Sequence, residues 1–237
     1  MTDVFNSTSF GFKQIPIAAG ILGLIGGAEF TEDCSFDSIL IERSNTKEIS
    51  VIPAAAAFEN PTKVISNASD YFKTFGVKVN PIMILNRNDA FNPSVIAQIN
   101  DSNFIYIPGG SPLHLKSVLK DSPAFEAIID KWHNGASLVG SSAGAMVLGD
   151  PMIDPRGGAY TVGLKLLSNL TVIPHFNGGH PERISRSLKF APKNTVIVGL
   201  DEKTAVIRNS DSTWETMGKG NSYFYLNSQQ KDISVLN

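Results

Sequence analysis

"LVGSSAGAMVLGD", residues 138–150, decides how this chain is read. An apolar run reaches a cluster of small residues around Ser142, and a second apolar run with helical character follows. Gly140-Ser141-Ser142-Ala143-Gly144 fits G-x-S-x-G, in which a strand turns abruptly into a helix and lifts a serine hydroxyl above the end of a sheet. The turn needs small neighbours because the backbone folds close on itself and the serine takes a strained conformation. The competing reading is a tight strand-to-helix crossing with no chemistry, so the rest of the chain must supply Ser142 with partners.

A serine hydroxyl is a poor nucleophile until a neighbouring base takes its proton. The sequence holds four histidines. His175 ends the run "LTVIPH", whose C-terminal edge is expected to share a rim with Ser142, and a strand end holds a side chain more firmly than a loop does. His180, in "NGGHPER", is the second choice. His114, after "GGSPL", is placed either to reach a substrate or to sit in the first turn of a helix. His133, in "DKWHNG", suits a helix C-terminus, where a cation favours the dipole. For the acid that orients the base, "VIVGLDEKTAV" offers Asp201 and Glu202. Side chains alternate along a strand, so one of the two faces the histidine, and spacing does not choose between them. Backbone N–H groups for an oxyanion are available at Ala143, after the serine, and at Gly109-Gly110, which end "FIYIPGG".

Short apolar runs alternate with helix-like segments from residue 15 onward. That pattern is the signature of a parallel sheet covered by helices. The expected strands are "GILGLIGG" (20–27), "ISVIPAAA" (49–56), "VKVNPIMIL" (77–85), "NFIYIPGG" (103–110), "ASLVGS" (136–141), "LTVIPHF" (170–176) and "NTVIVGL" (194–200). Asn60-Pro61 and Ser122-Pro123 are cap and first-turn pairs for two helices. Gly76 closes the first, and Phe125, Ile128, Ile129 and Trp132 form one face of the second. Beyond Thr204, "TAVIR", "STWETMG" and "SYFYLN" read as strands pairing antiparallel at a sheet edge. The whole of residues 1–237 is expected to form one domain.

With 237 residues, 42% of them hydrophobic and 18% charged, the chain can bury a substantial core. A net charge of −2 leaves no basic footprint for phosphates, so nucleic acid is not an expected partner. The single cysteine, Cys34, cannot form an intrachain disulfide or a cysteine zinc site, and reads as a reduced thiol in a cytoplasmic protein. "IPIAAGILGLIGGA" (15–28), with Lys13 before it, has some look of a secretory leader. It is too short to span a membrane, and its glycines, its proline and the following Glu29 fit a buried strand ending in a turn better. Sequons at Asn6, Asn67 and Asn169 would matter only in a secreted chain.

Taken in order, "LIGGAE" (24–29), "VIPAAA" (51–56), "YIPGG" (106–110), "GSSAGA" (140–145), "PHF" (174–176) and "GLDEKTA" (199–205) resemble the dipeptidase E and cyanophycinase family of serine peptidases. The resemblance implies a class I glutamine amidotransferase-like fold: three layers, with a mostly parallel sheet flanked by helices and an antiparallel C-terminal edge. It implies Ser142 as nucleophile, His175 as base and Glu202, rather than Asp201, as orienting acid; from the residues themselves, the amides of Gly110 and Ala143 are the ones expected at the oxyanion. It calls for no metal and no organic cofactor. The implied partner is a small peptide substrate with a peptide or isopeptide bond, aspartyl peptides among the candidates, and a homodimer is the assembly to consider. Ser111, His114, His180 and Arg183 are the residues expected near the substrate. Here the sequence departs from the family: cyanophycinases carry an acidic residue and a glutamine after the paired glycines and aspartyl dipeptidases an asparagine, whereas this chain has Ser111 and Pro112. "GHPERISR" (179–186) is more like the aspartyl dipeptidases, which makes Arg183 or Arg186 a bidentate partner for a substrate carboxylate. The rival readings are a binding module on the same fold without turnover, and a glutamine amidotransferase, which would need cysteine where Ser142 stands.

Overall fold

The first half of the chain lays down β1 (Leu22–Ile25), α1 (Phe36–Ser44), β2 (Glu48–Val51), α2 (Pro61–Lys73), β3 (Lys78–Pro81), α3 (Pro93–Asn100), β4 (Phe104–Ile107), α4 (Pro112–Leu119), α5 (Pro123–His133), β5 (Ser137–Ser141) and α6 (Ala143–Leu148). The computed structural model describes residues 15–16, 19–156 and 158–237, so Lys13 and the Asn6 sequon lie outside the described residues. β3, β2, β4, β5 and β1 run parallel in that order. Their side chains alternate between two cores. Leu22, Leu24, Ile105 and Ile107 pack on the face covered by α3 to α6, and Ile25, Phe104 and Tyr106 on the face covered by α1 and α2. Both faces are apolar because both are roofed by helices, which is why these strands read as continuous hydrophobic runs.

The helix ends follow local chemistry. Asn60 and Ser122 accept the N–H groups of Lys63 and Phe125, each with proline at the first helical position. Strand β3 stops at Pro81 instead of running to residue 85. It lies at the sheet edge, where the missing proline N–H costs no ladder bond.

The second half forms β6 (Gly149–Asp150), β7 (Met152–Ile153), β8 (Tyr160–Thr161), β9 (Leu167–Ser168), β10 (Leu170–Ile173), α7 (Pro181–Lys189), β11 (Val196–Leu200), β12 (Thr204–Arg208), β13 (Trp214–Gly218), β14 (Ser222–Leu226) and β15 (Gln229–Lys231). The strand ending at His175 departs here from the one-sheet expectation. β10 and β11 pair with each other in a second sheet ordered β15-β14-β11-β10-β6-β9. The physical reason is occupancy. The free side of β1 is taken by antiparallel β12, which β13 then extends, and β5 is already flanked by β1 and β4. The antiparallel C-terminal strands are therefore divided, β12 and β13 closing the first sheet and β14 and β15 the second. The segment 201–203 crosses between the sheets, so the ends of β10 and β11 still meet the loop after β1. Among the described residues no helix is long and apolar enough to cross a membrane.

Candidate active site

Strand β5 ends at Ser141, and α6 begins at Ala143, so the whole change of direction falls on Ser142. Its backbone has φ 50° and ψ −111°, and costs about 1–3 kcal/mol for a residue other than glycine. Two hydrogen bonds hold it there, Ser142 N–H to Ile25 O and Met146 N–H to Ser142 O, both 2.9 Å. The close crossing explains the small residues: a Cβ on Gly144 would lie 2.0 Å from the Ile107 carbonyl oxygen.

His175 follows β10 and is left-handed, with φ 51° and ψ 38°. Its N–H donates to Gly26 O at 2.8 Å, stitching the end of the second sheet to the loop after β1. The imidazole lies against Gly27, where φ is +119° and a Cβ would come within 2.3 Å of the ring, so position 27 admits no side chain. The Ser142 Oγ to His175 Nε2 distance is 2.9 Å, and His175 Nδ1 to Glu202 Oε1 is also 2.9 Å. Placing the neutral ring's proton on Nδ1 lets that N–H donate to Glu202 and leaves Nε2 to accept the serine O–H. Glu202 sits in the crossing segment, and its own N–H donates to Asn177 Oδ1 at 3.2 Å.

Asp201 faces the other way. It is 5% exposed, and its Oδ2 accepts Asn221 N–H at 2.9 Å. The geometry thus brings together Ser142, His175 and Glu202 and leaves Asp201 out, as alternation along the chain requires of one of the two.

A cavity of about 440 Å³ opens beside Ser142. Met146, Ile153, Val172 and Ile184 make its wall apolar, Gly110 lies at one side, and His180 and Arg183 from the start of α7 lie at another. Asp154 also lines it, but the Arg156 guanidinium binds its carboxylate through Nε and Nη2 and holds it down at about 2. Among the described residues no ion pair or hydrogen bond engages the Arg183 side chain, so its guanidinium is available to a ligand in this cavity. Ser111 and His114 are not on this lining. Ser111 Oγ accepts the His114 N–H as the cap of α4, and His114 Nε2 is 2.9 Å from Leu85 O, its ring edge-on to Phe58. Arg186, on the same helix as Arg183, does not line the cavity either. A larger polar cavity of about 600 Å³ lies at the opposite ends of β2, β4 and β5, away from Ser142 and His175, whereas open α/β sheets bind ligands at the carboxyl ends.

Neither Glu29 nor Asp154 is among the site residues expected from the sequence. For Glu29 a signal existed, its place at the end of "LIGGAE". For Asp154 there was none, because only the pairing of β7 with β8 brings it to the cavity wall.

The model of peptidase family S51 matches residues 22–215. A cyanophycinase of Synechococcus elongatus is 29% identical over 184 residues, 73% of this chain and 56% of that protein. The chain therefore matches little more than half the length of that relative. A Peptidase E of Nostoc is 24% identical over 200 residues, 79% of each chain. Among solved structures, a peptidase from an acI-B1 Actinobacterium superposes with a TM-score of 0.81 at 30% identity, over 90% of this chain and 93% of the other.

Proposed function

The chain belongs to peptidase family S51, and on that premise we propose that it is a serine hydrolase that cleaves a small peptide or isopeptide bond. The observation that carries this reading is the hydrogen-bonded series Ser142, His175 and Glu202, two links of 2.9 Å on a strained strand-to-helix turn. In the proposed reaction Ser142 Oγ attacks the carbonyl carbon while its proton passes to His175 Nε2. Glu202 holds the ring tautomer and stabilises the imidazolium. The N–H groups of Gly110 and Ala143 take the oxyanion, each such donor being worth roughly a hundredfold in rate. Collapse of the tetrahedral intermediate expels the amine, which receives its proton from His175. Water then attacks the acyl-enzyme with the same histidine as base, releasing the acid and restoring Ser142.

Arg183, with His180 beside it, is the proposed anchor for a substrate carboxylate, which makes aspartyl peptides the first substrates to try. The names of the relatives, cyanophycinase and Peptidase E, support peptide hydrolysis. A cytosolic location is part of the proposal, and the one cysteine of the sequence is a buried free thiol.

The test is intact-protein mass spectrometry after exposure to a fluorophosphonate, with Ser142→Ala and His175→Ala alongside. A single adduct on Ser142, absent from both variants, is expected, followed by turnover of Asp-X dipeptides or β-aspartyl peptides. A folded wild-type protein that takes no label is a binding module and not a hydrolase.

A further inference from the structure

The proposed chemistry needs Ser142 and the Gly110 amide at a fixed separation, yet they follow different strands, β5 and β4. We infer that Glu29 is the positioning residue that clamps these two turns together, an inference that rests on the reading of Ser142 as the nucleophile. Glu29 Oε1 accepts the Gly109 N–H at 2.7 Å, and Oε2 accepts the Ser141 hydroxyl at 2.8 Å. Each contact falls one residue ahead of a reacting group: Gly109 precedes the oxyanion donor, and Ser141 the nucleophile. The turns are already in close approach, since a Cβ on Gly109 would lie 3.2 Å from Ser142 Cβ. A shift of the 109–110 turn would therefore be felt directly at Ser142.

The loop that carries Glu29 is built against local preference. Ala28 and Phe30, on either side of it, have φ of 56° and 61°, and such conformations persist only where the surroundings impose them. The surroundings do so from the side away from the site. The Ala28 carbonyl accepts from Thr31 Oγ1 at 2.9 Å and from Cys34 Sγ at 3.4 Å. The Phe30 ring stands 5.1 Å from the Tyr106 ring, 5.6 Å from Phe72 and 6.1 Å from Tyr71. An aromatic anchor thus holds one end of the loop while the carboxylate is presented at the other. A carboxylate suits the task because it accepts two diverging donors at once, and charge strengthens both bonds. Glu29 acts through Gly109 and Ser141, so it is a positioning group and not a catalytic one.

Two measurements on Glu29→Ala, Glu29→Gln and Ser141→Ala test the clamp: hydrogen exchange of the segment holding the Gly109 amide, and the concentration dependence of Ser142 labelling by a fluorophosphonate. In Glu29→Ala the Gly109 amide exchanges about tenfold faster or more. The maximal labelling rate falls about 30- to 100-fold while the half-saturating concentration changes less than about threefold. Ser141→Ala, which removes one contact, gives a smaller slowing of the same kind. The Gln side chain can accept from Gly109 N–H and donate to Ser141 Oγ, and restores labelling to within about fivefold of wild type. Unchanged exchange and labelling in Glu29→Ala overturn the clamp, and a Gln variant as slow as Ala overturns it in favour of a role for charge. A wild-type protein without an adduct refutes the nucleophile, while the exchange of Gly109 still decides the clamp.

Discussion

At Glu202 the proposed chemistry depends on which hydrogen bond a single side chain can make to the histidine opposite. Glu202 accepts from His175 Nδ1 in the tautomer that leaves Nε2 free for the serine, whereas an amide in its place can offer N–H and favour the other tautomer. Glu202→Gln is expected to keep the fold and lower the hydrolytic rate about 10³- to 10⁴-fold, read from initial rates on the first peptide found to turn over. A drop of less than about tenfold would show that the carboxylate does not set the tautomer. Asp37 is a second residue whose state the surroundings decide. It is 1% exposed, and burial raises its carboxyl to about 8, although Tyr71 O–H donates to it at 3.1 Å. The folded chain thus keeps a proton that the unfolded chain releases above the ordinary value of 3.8. Stability from this group is full below that value, declines as pH rises and levels off beyond about 8. Asp37→Asn removes the decline. Its gain over wild type in urea unfolding is expected to be smallest at pH 4.5 and to reach about 2–4 kcal/mol at pH 9. A gain that shrinks as pH rises would mean that Asp37 is charged in the fold. Ser142 and His175 were legible as residues because a motif and a strand end marked them. The choice between Asp201 and Glu202 was not legible from spacing, since alternation says that one faces the site without saying which.

Among the elements, the loop after β1 is the one on which the site leans from several sides. Gly26 O accepts from His175, and Gly27 O accepts the Lys203 N–H at 2.9 Å, so one turn receives both the base and the segment bearing the acid. Gly27→Ala must push the imidazole aside, because its Cβ falls 2.3 Å from the ring. Labelling of Ser142 is expected to fall at least about a hundredfold, while circular dichroism keeps the wild-type spectrum. Labelling at the wild-type rate would show that the ring has another productive position. Away from the site, the buried Ser122 caps α5 through its Oγ, accepting Phe125 N–H at 3.2 Å and donating to Leu119 O at 2.7 Å. Ser122→Ala is expected to cost about 1–2 kcal/mol by urea unfolding and to leave Ser142 labelling unchanged. Caps and strands of this kind were visible in the sequence because they rest on neighbours a few residues away. The early end of β3 at Pro81 was not, because periodicity runs on through the proline, whereas the strand stops opposite Val51, where its partner β2 ends.

Across the whole molecule the two sheets share one core. Leu22, Leu24 and Val206 of the first sheet belong to the same buried cluster as Leu170, Val172, Val198 and Phe224 of the second. A common core predicts a single cooperative transition: the fluorescence of the two tryptophans, Trp132 and Trp214, and far-ultraviolet circular dichroism should give one urea midpoint. Val172→Ala should lower that midpoint for both probes, and two separated transitions would divide the chain into two folding units. By itself the sequence determined the alternation of strands and helices, the elbow at Ser142 and the ordered motifs that lead to the S51 family and its amidotransferase-like fold. Those features rest on local periodicity, on turn chemistry and on the small residues that close backbone contacts demand. Only the tertiary structure decided that β10 and β11 leave the first sheet and that Glu29 joins two turns, and it placed at the histidine the Glu202 that spacing had left level with Asp201 and the resemblance had favoured. Strand alternation assigns a side chain to a face, but the neighbour on that face depends on how the whole fold shares out its sheet edges, and the edge of β1 is held by β12.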